Sequence, residues 1–324
     1  MKNSKVCEIL GIQYPVICAS MTWITSAELA AAVSNAGGLG MLGPNAGQRT
    51  LTNDPVETAE RMRKEIYKTR SMTDKPFAVN YLLPDPNLDF TVLFAEQMLK
   101  MLCEEKEQKI VLASGNLNSE EIQKLKVAGK IVIYRDASPT VHSFKAAEAA
   151  GADIIIATGV EAGGHVSDYR IGTLNIVPAA KKSVNIPVVA AGGIVDAQSV
   201  RAMCTLGADG IYVGTRFVVS KESTCAQNTK DAIVASDTDD LVEFPGMVGS
   251  LRCIKTPVAL KCVDMAKQGA GIAEITKMYS GGFMTGMLMG DYEKGINSVN
   301  AAIGQINEIK SCQEIMNDFV SGME

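Results

Sequence analysis

The chain has few aromatic residues, few histidines and no surplus of positive charge. Aromatics make up 5% of its 324 residues, with one Trp, and there are only two His. Lys and Arg total 31 against 36 Asp and Glu, and the net charge of −5 argues against nucleic-acid or anionic-membrane partners. No apolar run reaches the roughly 18 residues of a membrane-spanning helix. Two histidines without metal-ligand spacing also argue against a metal centre.

Signals for disulfides and for export are missing as well. The eight cysteines are spread along the chain, and no pair forms a C-x-x-C. The N-terminal segment MKNSKVCEILGIQYP lacks the apolar stretch of a secretory leader. We therefore expect a cytoplasmic protein whose thiols are free, most of them acting as small buried apolar side chains. The cysteines are Cys7, Cys18, Cys103, Cys204, Cys225, Cys253, Cys262 and Cys312.

Glycine is abundant, with 29 residues, and short apolar runs alternate with longer helical patterns. Runs that are apolar at consecutive positions, such as IIIA, are typical of parallel strands buried on both faces. Eight strand units with helical crossovers predict an α/β fold, a (β/α)8 TIM barrel, with a doubly wound open sheet as the alternative. The predicted strands are Tyr14–Ala19, Gly40–Gly43, Phe77–Leu82, Ile110–Ala113, Ile131–Tyr134, Ile154–Ala157, Val188–Ala191 and Ile211–Val213. The predicted helices are Ser26–Asn35, Asp54–Thr69, Ser119–Ala128, Thr140–Ala150, Thr173–Val184 and Ala197–Leu206.

The strand–helix period ends near Val219, which divides the chain into three parts. Residues 1–221 form the predicted barrel. Residues 222–300 are predicted as a smaller helical subdomain over one barrel mouth, although 239–255 shows a mixed pattern. Residues 301–324 are predicted as a C-terminal helix that packs on the barrel, from a helical pattern over Gly295–Phe319.

Two neighbouring turns have the composition of a phosphate site. The seventh predicted strand runs into VVAAGGI (188–194) and the eighth into IYVGTRF (211–217). Glycine lets backbone N–H groups converge on an anion, and barrels commonly bind phosphate after these two strands. Gly192, Gly193, Gly214 and Thr215 therefore form a candidate cradle, and the alternative is a pair of tight turns. The phosphate of FMN is the favoured ligand, because neither turn carries a Walker lysine motif or a G-x-G-x-x-G.

A histidine follows the sixth predicted strand. In TGVEAGGHVSD (158–168), Gly163 and Gly164 allow the loop to pass close to a ligand, and His165 is placed at the carboxyl-end mouth. A neutral imidazole can serve there as an acid or a base. Glu161 could orient it or contact a cofactor. The alternative is an exposed loop histidine without a role.

The first strand–helix unit supplies candidates for a flat ligand. Ala19, Ser20 and Met21 are small or flexible residues at a strand end and could lie against a planar ring. Trp23 could cover a substrate or the ring edge, or could simply pack in the core.

Polar residues also end the third and fourth predicted strands. Asn80 interrupts an apolar strand, and a buried amide needs hydrogen-bond partners, which favours a ligand contact. Ser114 and Asn116 in LASGN occupy equivalent positions and are candidates for substrate contacts.

In these segments the chain resembles the FMN-dependent nitronate monooxygenase (2-nitropropane dioxygenase-like) superfamily, which includes the flavoprotein enoyl-ACP reductase II enzymes. The matching segments are YPVI, MTWIT, AELAAAVSNAGGLG, KPFAVN, GVEAGGHV, IPVVAAGGI and GTRFVVSKES, with GD-x-x-x-G and Gly304-Gln305 in the tail. The resemblance implies a TIM barrel with one non-covalent FMN. Under it, Ala19, Ser20 and Met21 line the ring, Asn80 contacts the flavin, Gly192, Gly193, Gly214 and Thr215 hold the phosphate, Gln305 reaches the cofactor, and His165 is catalytic. Glu161, Gly163 and Gly164, from their place in the loop before His165, complete the predicted cofactor contacts.

Three departures bear on the substrate slot. Cys18-Ala19-Ser20 replaces the usual Gln-containing triplet before Met21, and Leu117 stands where the reductases carry Pro. The segment EFPGMVGSLRCIKT lacks the His-Pro often found before the family's Arg.

Two activities are consistent with this resemblance. In the first, NADH or NADPH reduces FMN, which then reduces an enoyl thioester, with acyl carrier protein as a candidate partner. Trp23, Ser114 and Asn116 favour this reductase group. In the second, FMN oxidises an alkyl nitronate and O2 reoxidises the flavin. A third reading is an FMN-binding protein that has lost activity. The oligomeric state, including a homodimer, is left open.

Overall fold

A parallel eight-stranded sheet forms the centre of the computed structural model, which describes residues 1, 4–106 and 108–323. Its strands are β1 (Val16–Cys18), β2 (Gly40–Leu42), β3 (Phe77–Leu82), β4 (Ile110–Ser114), β5 (Ile131–Arg135) and β6 (Ile154–Thr158), followed, after the outlying β7 (Gly164–Val166), by β8 (Val188–Ala191) and β9 (Gly210–Val213). The order around the sheet is β1-β9-β8-β6-β5-β4-β3-β2, and a parallel bridge between Ile17 and Leu39 joins its ends. The predicted TIM barrel is confirmed, and the open-sheet alternative is excluded because the first two strands meet.

Helices cover the outside of the barrel. They are α1 (Lys5–Leu10), α2 (Ala27–Asn35), α3 (Pro55–Met72), α4 (Asp89–Glu104), α5 (Ser119–Val127), α6 (Val141–Ala150), α7 (Thr173–Ser183), α8 (Ala197–Thr205) and the short α9 (Thr215–Val218). All six helices predicted from the sequence are present. The prediction missed α1, α4 and the short α9. Helix α4 begins after Leu88, whose side chain makes no capping hydrogen bond, so the usual sequence signal for a helix start is absent.

Two equivalent carboxylates brace the amino-end rim of the barrel. Asp153 accepts hydrogen bonds from the Val132 backbone N–H (2.7 Å) and from Lys126 Nζ (2.6 Å). Asp209 accepts from the Val188 N–H (2.8 Å) and, on the same oxygen, a 2.6 Å bond from a lysine of α7. Each Asp thus ties the start of its own strand to the neighbouring strand and helix, which leaves the opposite, carboxyl-end mouth available for chemistry.

The segment 222–300 is only partly helical. It contains α10 (Gln227–Ala235), α11 (Pro257–Lys267), α12 (Ile272–Tyr279) and a π-helical turn at Met284–Leu288, but also the antiparallel hairpin β10 (Leu241–Pro245) and β11 (Ser250–Ile254). Strand β11 pairs on its other side with β7, so this small sheet is anchored to the loop after β6. The hairpin accounts for the mixed pattern of 239–255, because alternating residues form strands and not helices.

The tail is less helical than predicted. Only α13 (Cys312–Ser321) is an α-helix, and the preceding residues include a short 3-10 turn at Ile303–Gln305. Helix α13 lies on the barrel, where the Phe319 ring meets the Phe217 ring edge-on with centroids 6.0 Å apart. Ala301 donates its N–H to the Glu161 carbonyl (3.0 Å), so tertiary hydrogen bonds hold the residues that the pattern placed in a longer helix. No helix in the described part of the chain is long and apolar enough to cross a membrane.

Candidate active site

The carboxyl ends of the barrel strands open into a chamber of about 210 Å³. Barrel residues form its floor and walls, and Phe283, Met287, Ser298 and Asn300 from the covering segment close it. Many of the residues predicted to bind a cofactor lie here. The structure brings together Ala19, Ser20, Met21, Gly163, Gly164, Gly192, Gly193, Gly214, Thr215 and His165 around this chamber.

The two glycine turns form one wall. Gly192 and Gly193 have positive φ angles of 108° and 70°, which side chains with a Cβ rarely adopt. A Cβ on Gly192 would lie 2.8 Å from Thr173 Oγ1 and 3.0 Å from the Gly159 carbonyl oxygen, so the turn has no space for one. The N–H groups of Gly192, Gly193 and Ile194 donate to no acceptor among the described residues. The wall therefore presents free backbone donors, as an anion site requires.

The chamber also holds polar side-chain atoms that lack a partner. Within the described residues, Arg135 Nε, Thr158 Oγ1 and Ser298 Oγ are buried and make no hydrogen bond. Unpaired buried polar atoms are rare, and several around one chamber indicate a missing polar ligand. FMN fits this chemistry, because it combines a phosphate for the glycine turns with a flat ring that has polar edges.

A second, larger chamber of about 470 Å³ adjoins the first. Its walls are mainly apolar and come from the loops after β2 and β3 and from α4. Ser20, Thr22, Arg135, His165, Tyr212 and Phe283 border both chambers. A ligand in the larger chamber would therefore meet a ligand in the smaller one at these six side chains. The apolar lining residues include Leu51, Met62, Leu82, Leu83, Leu88, Phe90, Phe94, Ala95, Met98 and Met247.

His165 stands at this junction because strand pairing holds it there. It lies in β7 opposite Leu251 of β11, and its ring centroid is 6.4 Å from that of Phe283. His165 is exposed, and it borders both chambers. Removal from bulk water and, to a smaller extent, the positive charge of Arg135 lower the pKa of His165 to about 4. The ring is therefore neutral at physiological pH, with one N–H donor and one acceptor nitrogen.

Arg135 and Tyr212 are site residues that the sequence analysis missed. Arg135 ends β5, one residue beyond the predicted strand, and its guanidinium lies 6.0 Å from the centre of the Tyr212 ring. The Tyr212 hydroxyl accepts the Ser20 N–H at 2.7 Å and so fixes the turn after β1. Both residues could have been predicted from the sequence, because a charged residue or a tyrosine at the carboxyl end of an apolar barrel strand lies at the active-site mouth.

The polar strand ends line the larger chamber. Ser114 donates to Asn80 Oδ1 at 2.8 Å, and Asn116 donates to Asp85 Oδ2 at 2.6 Å. Asn80, Ser114 and Asn116 all border the chamber. Asn80, which the resemblance assigned to the flavin, borders only the larger chamber, beside the predicted substrate residues.

Three predicted contacts are not brought to either chamber. Trp23, with φ 71°, is 4% exposed and packs in an apolar cluster under the covering segment, because its backbone turns the ring away from the mouth. Glu161 accepts hydrogen bonds from the N–H (2.8 Å) and hydroxyl (2.7 Å) of Thr173, so it caps the start of α7. Gln305 is exposed on the 3-10 turn, and Asn300 reaches the chamber instead.

The structure also shows where the three departures from the family pattern lie. Cys18 is fully buried in the barrel core and borders neither chamber. Leu117 is partly buried against an apolar core cluster and borders neither chamber. The Arg without a preceding His-Pro is Arg252, which lies in β11.

Comparison with known proteins gives one family. The profile of the nitronate monooxygenase family matches residues 3–322. A nitronate monooxygenase from Pseudomonas aeruginosa is 34% identical over 263 residues, covering 69% of this chain and 72% of that protein. The (3aS,4S,5R,7aS)-5-hydroxy-7a-methyl-1-oxo-octahydro-1H-indene-4-carboxyl-CoA dehydrogenase from Rhodococcus jostii is 34% identical over 358 aligned positions, covering 97% and 94%.

Solved structures with the same fold include members of related enzyme groups. FabK from Thermotoga maritima superimposes with a TM-score of 0.87 at 33% identity, covering 100% of this chain and 96% of that one. A nitroalkane oxidase from Streptomyces ansochromogenes shares the fold, with a TM-score of 0.81 at 23% identity and coverage of 98% and 97%. Because the family profile spans nearly the whole chain and its relatives share the fold, the chain belongs to the nitronate monooxygenase family of flavin-dependent oxidoreductases.

Proposed function

We propose that this protein binds FMN and uses NADH or NADPH to reduce the C=C bond of an enoyl thioester. The observation that carries the proposal is the apolar chamber of about 470 Å³ that meets the smaller chamber at His165. Its volume falls within the roughly 300–1,000 Å³ of small-molecule sites. An acyl chain would bury apolar surface along this chamber, whereas a small nitronate would leave most of the lining without contacts.

The relatives support a thioester substrate. The Rhodococcus jostii protein, named as a dehydrogenase of a carboxyl-CoA, aligns over nearly all of this chain. Its named substrate is a coenzyme A thioester of a methylated bicyclic ring that carries a hydroxyl and an oxo group. The resemblance of the sequence to flavoprotein enoyl-ACP reductases points to the same class. Acyl carrier protein or coenzyme A would then be the carrier of the acyl group.

The residues of the chain have separable tasks in this reaction. The glycine turns and the unpaired Thr158 and Ser298 hydroxyls would hold FMN. When bound and reduced, FMN would supply a hydride for the β-carbon, and solvent would supply the proton that the α-carbon takes up. The neutral His165 ring can donate its N–H to the thioester carbonyl oxygen, where negative charge develops as the double bond is reduced. Arg135 supplies a fixed positive charge at the same junction.

Nitronate oxidation with O2 is the second candidate. It is favoured by the family profile and by the Pseudomonas aeruginosa enzyme, which is named a nitronate monooxygenase. In this reaction His165 would act as a base towards a neutral nitroalkane, a role that a neutral imidazole also permits.

Anaerobic reduction of the flavin separates the candidates. Under the reductase proposal, NADH or NADPH bleaches the visible flavin band within seconds, and crotonyl-CoA or a longer enoyl-CoA restores it without oxygen. Rapid turnover of an alkyl nitronate with O2, together with no bleaching by either nicotinamide, would contradict the proposal and favour the second candidate. FMN binding without reaction towards any of these compounds would indicate a protein that has lost activity.

A further inference from the structure

The loop that carries His165 is rich in glycine. It contains Gly159, Gly163 and Gly164, and Gly164 has a positive φ of 70°. Glycine adds no side-chain packing and leaves the backbone many alternatives. Contacts from outside the loop therefore help to decide where the imidazole lies.

A buried arginine on the β10–β11 hairpin donates hydrogen bonds to this loop. Arg252 is 8% exposed, and its Nη1 donates to the carbonyl oxygens of Val160 (2.7 Å) and Ala162 (2.8 Å). Its Nε donates to Glu243 Oε1 at 2.9 Å, across the hairpin. The guanidinium thus spans the hairpin and two loop carbonyls three and five residues before His165.

Glu243 also binds the C-terminal end of the same loop. Its second carboxylate oxygen accepts from Arg170, which has a positive φ of 53° and also donates to Ser250 Oγ at 3.1 Å. Burial alone would raise the pKa of Glu243, but Arg170 and Arg252 more than offset this and hold its pKa below the ordinary value. The carboxylate therefore stays charged and ties both ends of residues 160–170 to the hairpin.

Strand pairing then sets which way the imidazole faces. Leu251 is opposite His165 and Arg252 is opposite Gly164. A shift of one residue in this pairing would turn the histidine side chain to the other face. The hairpin also approaches closely at Gly249, where a Cβ would lie 2.2 Å from the Val166 carbonyl oxygen.

We propose that Arg252, held by Glu243, is a positioning residue for His165, fixing the imidazole at the junction of the two chambers. The inference rests on the proposed function only where it concerns turnover. It holds equally for the reductase and the nitronate reaction, because both place His165 at that junction.

The test measures the titration of His165 directly. With only two histidines, protein labelled at the imidazole carbons gives two NMR signals, and His165→Ala assigns them. The charged group that acts on the ring is Arg135, and titrations compare variants at equal flavin content so that bound cofactor affects each variant alike. In Arg252→Met we expect the His165 titration to rise by about one pH unit or more, because a loosened loop admits water.

Turnover gives the second readout. With whichever acceptor the parent protein uses, we expect kcat of Arg252→Met to fall by roughly 10- to 100-fold, while the KM for the nicotinamide changes by less than about twofold. Arg252→Lys should recover part of both effects, since an ammonium group can reach either the carbonyls or Glu243. The matched control is Lys130→Met, because Lys130 is a buried cation that donates to two carbonyls, those of Glu105 and Gln108, away from the chambers. It should lower the melting temperature without moving the His165 titration.

Unchanged His165 titration and kcat in folded Arg252→Met would overturn the proposal. If that variant does not fold, Glu243→Gln and Arg252→Lys decide: a raised His165 titration supports positioning, and parent-like values in both reject it. An equal shift of the His165 titration in Lys130→Met would show that general loosening of the protein causes the effect, and it would also reject the proposal. Absence of turnover in the parent protein with every acceptor would refute the proposed function, but the NMR comparison would still test Arg252.

Discussion

The low pKa of His165 makes a sharp prediction for activity in mild acid. An exposed histidine with the ordinary pKa of 6.5 would be roughly 90% protonated at pH 5.5. With the pKa lowered to about 4, only roughly 3% of His165 carries the proton at that pH. If the reaction needs neutral imidazole, kcat/KM for the acceptor should therefore stay nearly flat from pH 8 down to about 5.

The assay is kcat/KM for the acceptor measured between pH 4.5 and 8.5, because this ratio reports ionisations of the free enzyme. Flavin fluorescence in the filtrate at each pH checks that FMN stays bound. An acid limb with an apparent pKa near 6.5 in the parent protein, absent from His165→Gln, would refute the reasoning. The same shift affects the free energy of unfolding, because the folded protein binds this proton less readily than the unfolded chain does. His165 therefore lowers the stability as the pH drops from 6.5 towards 4.

Three further predictions concern the chambers. Gly193→Asp should abolish FMN retention, because like charges about 4 Å apart at an effective dielectric constant near 20 repel by roughly 4 kcal/mol. The uncharged Gly193→Asn should lose far less flavin, measured by absorbance. Equal losses in the two variants would contradict an anion site. His165→Ala should keep its flavin but lose about 10²- to 10⁴-fold in turnover in stopped-flow assays, with His142→Ala as the control and parent-like turnover as the contrary result. Ala95→Leu, which fills the larger chamber, should raise KM for long enoyl-CoA esters at least about tenfold and leave crotonyl-CoA little affected; a uniform change would argue against an acyl site.

Local patterns were sufficient for the barrel and for the turns at its mouth. Strands such as β8 are apolar at every position, which is typical of a parallel strand buried on both faces. Gly192 and Gly193 follow directly from their strand, so their positions in the chain fix their place in the fold. Helix α4 escaped prediction because Leu88 offers no capping side chain.

Long-range contacts decided the rest of the site. Arg135 and Tyr212 are 77 positions apart in the chain, and only closure of the barrel brings the guanidinium within 6.0 Å of the ring. Trp23 appeared suited to a ligand by residue type, but a positive φ turned its ring into the core.

By itself, the sequence determined the fold class, the glycine turns and the presence of a histidine at the carboxyl-end mouth. These features follow from periodicity and from glycine's freedom at positive φ, both of which act between near neighbours in the chain. Tertiary structure alone decided that His165 is neutral and that two chambers meet at its ring, since both depend on what surrounds the imidazole. It also decided that Arg252, 87 residues further along, holds the loop in place, because a hydrogen bond depends on distance in space and not on separation in sequence.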